Sequence, residues 1–223
     1  MLRRDYILRM VDEFLEVLAR IRGLKREQHW REAALATDDE FRKLVGSGAD
    51  ALLALSDTEL LAKLIQSEPT QVTRDKTLML ATLLKERGDL AAGEGRDSVP
   101  YHLKALHLLL EVLARDEPDD CPEFVPRVDE LVGALGTTAV PLATQARLMQ
   151  HFERTGQFGK AEDRLYEMLE QEPDQAGLVE FGLAFYDRVA QHSDAALAEG
   201  NLPRAELEAG KGELWQRRAA TTV

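Results

Sequence analysis

Gly156-Gln-Phe158-Gly-Lys-Ala161-Glu-Asp-Arg-Leu165-Tyr-Glu-Met168-Leu-Glu-Gln-Glu-Pro173 is the stretch from which the fold class can be read. A glycine opens it, an aromatic follows two residues later and an alanine three after that. Leu165, Met168 and Leu169 then recur at helical spacing before a closing proline. Glycine tolerates the positive φ of a tight turn between helices. The small side chain of Ala161 lets a second helix come close. Pro173 has no N–H to donate and cannot continue a helix. The stretch therefore predicts a turn followed by a helix over residues 158–171, packed closely on the helix before it.

The rest of the chain agrees with an all-α fold. Of its 223 residues 44% are apolar and 30% charged, as in a folded protein. Leucine dominates the apolar set, while isoleucine occurs only at positions 7, 21 and 65. That bias favours helix, because β-branched side chains lose rotamer freedom there. Apolar spacing predicts helices over residues 5–24 and 27–44, then a short one from Ser56, where Ser56-Asp-Thr-Glu59 reads as a capping box. Further helices are expected over 71–92, 99–115, 123–135, 140–155, 158–171 and 176–198. A tenth follows Pro203 and ends near Gly210 and Gly212, or frays beyond Trp215 and past about residue 217.

Other stretches share the Gly156 pattern. Gly200-Asn-Leu202-Pro-Arg-Ala205 has the glycine, an apolar residue and an alanine. Gln28-His-Trp30-Arg-Glu-Ala33 has glutamine in place of the glycine, and Gly95-Arg-Asp97-Ser-Val-Pro100 keeps only the glycine, with Gly88 seven residues earlier. Ala33, Pro100, Ala161 and Ala205 lie 67, 61 and 44 residues apart.

The Gly156 stretch and its partial copies resemble the tetratricopeptide repeat, whose usual period is about 34 residues. The resemblance implies one domain over residues 1–223, built of about ten helices. Its antiparallel hairpins would stack as a right-handed superhelix, with the third and sixth helices as short insertions. The opening Met1-Leu-Arg-Arg-Asp-Tyr6, together with Trp30-x-x-Ala33 and the Gly156 repeat, is also similar to an uncharacterised bacterial family with helices of this kind. That similarity implies a fold and no chemistry.

The templates of catalysis and metal binding are missing from the sequence. It has no Gly-x-x-x-x-Gly-Lys-Ser/Thr loop, no Gly-x-Ser-x-Gly elbow and no His-Glu-x-x-His pair. A di-iron site needs glutamate three residues before histidine. Those positions before His29, His102, His107, His151 and His192 hold Arg26, Val99, Lys104, Leu148 and Val189. His102 and His107 read as surface or hydrogen-bonded residues. Cys121 sits among carboxylates that disfavour a thiolate. Asp116, Glu117, Asp119, Asp120 and Glu123 lack the central glycine of a calcium loop and read as a solvated loop that caps the next helix. The chain is thus read as a non-enzyme with neither cofactor nor metal.

Net charge of −12 argues against nucleic acid as a partner, and no apolar run reaches the ~18–20 residues of a membrane span. Charged residues interrupt the apolar positions behind the N-terminus, unlike a signal peptide, and a lone cysteine fits a reducing compartment. The cytoplasm is the expected location. Residues 1–31 carry eight Lys/Arg against five Asp/Glu, so the basic start opposes an acidic remainder.

If the tetratricopeptide geometry carries over, the first helix of each pair lines a concave groove. The groove residues would then be Arg22, Lys25, Arg26, Lys85, Arg147, Gln150 and Arg154, with Leu15, Leu18, Thr82 and Asp89 among the inner positions. Arginine suits carboxylates through its two-pronged donor set. A second reading of Arg22, Lys25 and Arg26 is that they end the first helix and pair with Asp38, Asp39 or Glu40. The expected function is a protein interaction module holding a peptide or an acidic partner. The alternatives are homodimerisation through exposed Phe14, Leu15, Leu18, Phe181 or Phe185, and an enzyme of unrecognised type. The single asparagine, Asn201, argues against a chaperone-tail clamp.

Overall fold

The structure, a computed structural model, describes residues 2–65, 70–115, 121–173 and 175–221. Among them are twelve α-helices and no strand, as the leucine-rich composition predicts. The chain divides between Thr138 and Ala139 into two compact units.

The first unit holds α1 (Leu2–Arg26), α2 (Trp30–Val45), α3 (Ala49–Leu53), α4 (Asp57–Ile65), α5 (Thr70–Gly93), α6 (Val99–Leu113) and α7 (Val128–Leu135). Helix α5 packs on α1, α2, α4 and α6. Leu78, Met79, Leu80, Ala81, Leu83 and Leu84 follow one another around almost its whole circumference, and each is fully buried. A helix apolar on every side is a central helix. The hydroxyls of Thr77 and Thr82 donate back to the carbonyls of Thr73 and Leu78, at 2.7 and 2.9 Å, so they enter the core satisfied. Helix α1 buries Phe14, Leu18 and Ile21, while Ile7, Met10 and Val11 on the same apolar spacing are half-buried.

The second unit holds α8 (Leu142–Arg154), α9 (Phe158–Gln171), α10 (Ala176–Val189), α11 (Asp194–Glu199) and α12 (Arg204–Thr221). Helix α9 has the bounds the sequence predicts. Packing follows chain order: α8 on α9, α9 on α10, α10 on α12, with α11 against α12.

One closing device recurs at all four signature turns. In each, a residue of positive φ ends a helix: Gln28 (61°), Gly95 (69°), Gly156 (71°) and Asn201 (56°). The next residue then donates back to a carbonyl five residues earlier, His29 to Leu24, Arg96 to Ala91, Gln157 to Phe152 and Leu202 to Leu197, over 2.7–2.9 Å. This is the Schellman closure, which satisfies carbonyls that a helix end leaves orphaned. The small residues Ala33 and Ala161 that follow the first and third turns are both fully buried. Gly88 also acts as expected of a small residue, since a Cβ there would overlap the His102 ring of α6.

The fourth copy departs from the predicted register. Asn201, not Gly200, takes the positive φ, and Gly200 lies at φ −77°. Gly200 serves a different need: a Cβ would overlap the carbonyl oxygen of Gly156 and the ring of Phe158. The two turns meet backbone to backbone, with the Gly159 N–H donating to the Gly200 carbonyl at 2.8 Å. Pro203 delays the next helix to Arg204, which leaves Ala205 exposed and buries Leu202 and Leu207 instead.

Several predicted boundaries are corrected. The helix expected over 123–135 starts only at Val128, because Pro126 biases Val125 away from the helical region. The helix expected over 176–198 breaks after Val189; Ser193 starts α11, its hydroxyl accepting from the Ala196 N–H at 3.2 Å. Arg204 donates to the Ala190 and His192 carbonyls freed by that break, at 3.0 and 2.7 Å. Of the two ends expected for the last helix, the one near Gly210 and Gly212 is not found: α12 continues past Trp215 to Thr221, and at Gly210 the absent side chain makes room for the Tyr186 hydroxyl. Residues 49–53 form a short helix the apolar spacing does not signal. The capping box is present: Glu59 N–H donates to the Ser56 hydroxyl and Ser56 N–H to the Glu59 carboxylate, at 3.2 and 2.8 Å. The acidic loop residues Asp116, Glu117, Asp119 and Asp120 lie outside the described residues.

Gly200→Ala should lower thermal stability by about 1–3 kcal/mol, because the added methyl meets backbone that has no room to yield. Gly212→Ala, in α12 with nothing within 4 Å of the new methyl, should instead gain about 0.5–1 kcal/mol from helix propensity. Thermal melts followed by circular dichroism separate the two; equal shifts of one sign would refute the turn-to-turn docking.

Candidate functional site

The chemistry of the first unit concentrates where the last turns of α1 lie against α5. Glu86 is a carboxylate only 1% exposed, and burying such a charge without a partner is costly. Two cations spaced three apart on α1 reach it. Arg22 Nε donates to Glu86 Oε1 at 2.7 Å, and Lys25 Nζ donates to Glu86 Oε2. Lys25 also donates to Asp89 Oδ2 at 2.7 Å, and Lys85 reaches the same oxygen at 2.9 Å from one turn away. His102 of α6 sets its Nε2 3.2 Å from Asp89 Oδ1. Burial alone would raise the Asp89 carboxyl, but hydrogen bonds with His102, Lys25 and Lys85 outweigh it and hold the group well below the usual carboxylate range. Burial would likewise lower the Lys25 ammonium; Glu86 and Asp89 overcome that and hold it above its ordinary value.

Over this network opens a cleft of about 770 Å³. Its apolar lining comes from Leu15 and Leu18 of α1 and from Phe124, Val125 and Pro126 of the segment before α7. Phe124 is held there by edge-on contact with Phe14, ring centroids 5.2 Å apart. Arg22, Lys25 and Arg26 of α1 and Lys85 of α5 bring its positive charges. Glu123, from the segment before α7, and Glu130, on α7, line it too and are exposed.

Four of the seven predicted groove residues therefore line one cleft, but three of them are already paired. Lys25 and Lys85 are taken up by Glu86 and Asp89, and Arg22 is tied to Glu86 through one edge while its side chain stays 43% exposed. The alternative pairing of Arg22, Lys25 and Arg26 with Asp38, Asp39 or Glu40 is not the one found: Asp38 and Asp39 pair with Arg42, on their own helix. Leu18 and Thr82, expected on the inner face, are core residues at 2% and 0% exposure. Arg147 is half-buried, and Gln150 and Arg154 are exposed, on α8 in the second unit.

Glu86, Glu123, Phe124 and Glu130 escape the sequence reading. A signal for Glu86 is present in hindsight: the unbroken apolar run 78–81 and 83–84 marks an all-round buried helix, so charges in its next turn must also be inside. His102 and His107, read as surface or hydrogen-bonded, are both buried. Of the residues that would signal a dimer face, Phe14, Leu18 and Phe185 are buried, Phe181 is half-buried, and Leu15 is exposed.

The second unit has a smaller cleft of about 310 Å³ beside the Gly156 turn, lined by Glu162, Asp163, Glu199 and Glu206. Burial, with the nearby acids, pushes the Glu162 carboxyl up despite its hydrogen bond from the Tyr186 hydroxyl. Among the described residues no three His, Cys, Asp or Glu side chains are placed to share a metal ion, and no helix is long and apolar enough to cross a membrane.

Compared with known protein families, residues 1–218 match a family of unknown function, DUF6483. The chain belongs to that family. No curated protein matches it, and no solved structure does. An uncharacterised family is what the opening motif and the repeat signatures led us to expect.

Two outcomes test the network. Arg22→Glu sets a carboxylate beside buried Glu86 and should cost about 1–3 kcal/mol in urea unfolding, while exposed Arg26→Glu should cost under about 1 kcal/mol; equal costs would contradict the pairing. The second concerns pH. Asp89 titrates lower in the folded than in the unfolded chain, so its contribution is complete above the ordinary carboxylate pKa of about 4 and drains as pH falls below it. Between about pH 5 and about pH 3 the native chain should lose stability more steeply than Asp89→Asn. Parallel slopes in urea titrations would rule that role out.

Proposed function

We propose that this chain is a non-enzymatic protein interaction module, and that the cleft between α1, α5 and the segment before α7 holds a segment of a partner protein. Within each unit we read the hairpins as tetratricopeptide-like repeats. That reading rests on the shared Schellman turns and on the small buried residues Ala33 and Ala161. Lone Cys121 supports a cytoplasmic setting.

The observation that carries the proposal is the apolar part of the cleft. Leu15 stays 40% exposed beside Phe124, Val125 and Pro126, in a concave surface of about 770 Å³. A concave apolar surface with a few polar groups at its rim is the usual form of a binding site. The charges beneath it are matched by the fold itself: Glu86 and Asp89 occupy Lys25 and Lys85, which leaves Arg26 and the outer edge of Arg22 to face a ligand. A purely acidic partner is therefore a poorer fit than one that also brings apolar side chains. Self-association has less support, since most residues that would form its apolar face are buried.

A photo-crosslinking side chain at position 15 tests the proposal in the intact chain. It should capture a partner in cells, whereas the same group at the position of Leu35, 57% exposed on α2 outside the cleft, should not. Identical adducts from both positions, or none from position 15, would count against the cleft.

A further inference from the structure

We infer that the occupant of the α1–α5 cleft is an amphipathic α-helix of a partner protein, with acidic residues along one flank of its apolar stripe and basic residues along the other. This rests on the reading of the cleft as a docking site and names the chemistry of what docks there.

The first step concerns the backbone of the occupant. A segment lying on an apolar lining must have its own N–H and C=O groups satisfied. An extended peptide does this by adding to a sheet edge, or as a polyproline helix by leaving its backbone in water over an aromatic-lined groove. Among the described residues there is no strand to offer an edge, and the cleft's lining includes one aromatic, Phe124. A helix satisfies its backbone internally and needs from the receptor only an apolar groove. Leu15, Phe124 and Val125 supply that groove, with room for several side chains of leucine size in about 770 Å³.

The second step concerns charge. The cleft is electrically two-sided once internal pairs are set aside. From α1, Arg26 is exposed and unpaired among the described residues, and Arg22 spends its Nε on Glu86 while its side chain stays half-exposed. From the segment before α7 and from α7 itself come Glu123 and Glu130, both exposed and with no ion pair among the described residues. A ligand of one charge sign would be attracted by one rim and repelled by the other. A helix with acids on one flank and bases on the other meets both, and the order of its flanks fixes the direction in which it lies. Complementary rim charges of this kind set register and partner choice more than raw affinity.

Two phage-displayed libraries panned against the full chain test this: a helical scaffold with one randomised face, and unstructured linear dodecamers. The expected result is enrichment of helices with leucine or phenylalanine anchors, acids on one flank and bases on the other. Their affinity should fall about fivefold to tenfold in Arg26→Glu and in Glu130→Lys, with recovery when the matching flank of the peptide is reversed in sign. Both residues are exposed, and circular dichroism verifies that the variants stay folded. If only linear dodecamers are enriched, or if helices bind regardless of both rim variants yet are lost in Leu15→Asp, the helix or charge assignment is overturned while the docking cleft stands. If neither library yields binders sensitive to Leu15→Asp, the cleft itself is refuted.

Discussion

Glu86 places a carboxylate inside the protein, and much of the first unit follows from how that group is partnered. A carboxylate with 1% exposure is costly to leave without a partner. Arg22 and Lys25 meet it from α1, and the geometry of meeting it fixes where the last turns of α1 lie on α5. Lys25 bridges onward to Asp89, and Asp89 to His102 on α6, so three helices are tied in one network. Gly88 is part of the same arrangement, since only a residue without a side chain lets the His102 ring come near enough to Asp89. The positive charges also sit at the end of α1, where the helix dipole favours them.

A neutralised network shapes the surface above it. Had Lys25 and Lys85 been free, the cleft would be a strongly basic trough that attracts any anion. With both engaged, the lining is apolar in character and the charges that remain lie at the rim. Apolar burial is non-directional and supplies affinity in proportion to area, whereas rim charges discriminate. In the proposed binding role these two parts would act separately, because the buried carboxylates pair with Lys25 and Lys85 and leave Arg26 unpaired among the described residues.

The parts legible in the sequence were those set by local chemistry. The turn at Gly156, the helix over 158–171, the Ser56 capping box and the stripe on α1 each depend on residues close in the chain. What failed was counting across turns. Matching Ala205 to Ala161 presumes that the positive φ falls on Gly200, but Asn201 can adopt that conformation too, and Pro203 then sets a new start. Pro126 and Ser193 carried readable breaks that the apolar spacing alone overruled. The cleft was half legible: counting back from the turns, on the tetratricopeptide resemblance, picked out Arg22, Lys25, Arg26 and Lys85, and all four line it. That count could not bring out Glu123, Phe124 and Glu130, which reach the cleft through a segment far along the chain, nor the pairing to Glu86, which depends on how two helices cross.

The same reasoning explains why Gly200 and Gly210, both read as punctuation, are packing residues. A glycine is usually taken as a signal that a helix stops. At Gly210 the helix runs on, and the missing side chain admits the Tyr186 hydroxyl, which bonds Glu162. At Gly200 the missing side chain lets one turn settle on another, so that the Gly159 amide finds the Gly200 carbonyl. In both places the absent Cβ lets a buried polar group reach its partner. That is the constraint Gly88 obeys in the first unit, where a histidine reaches a carboxylate. Glycine in this chain is therefore better understood through what approaches it than through the backbone angles it permits.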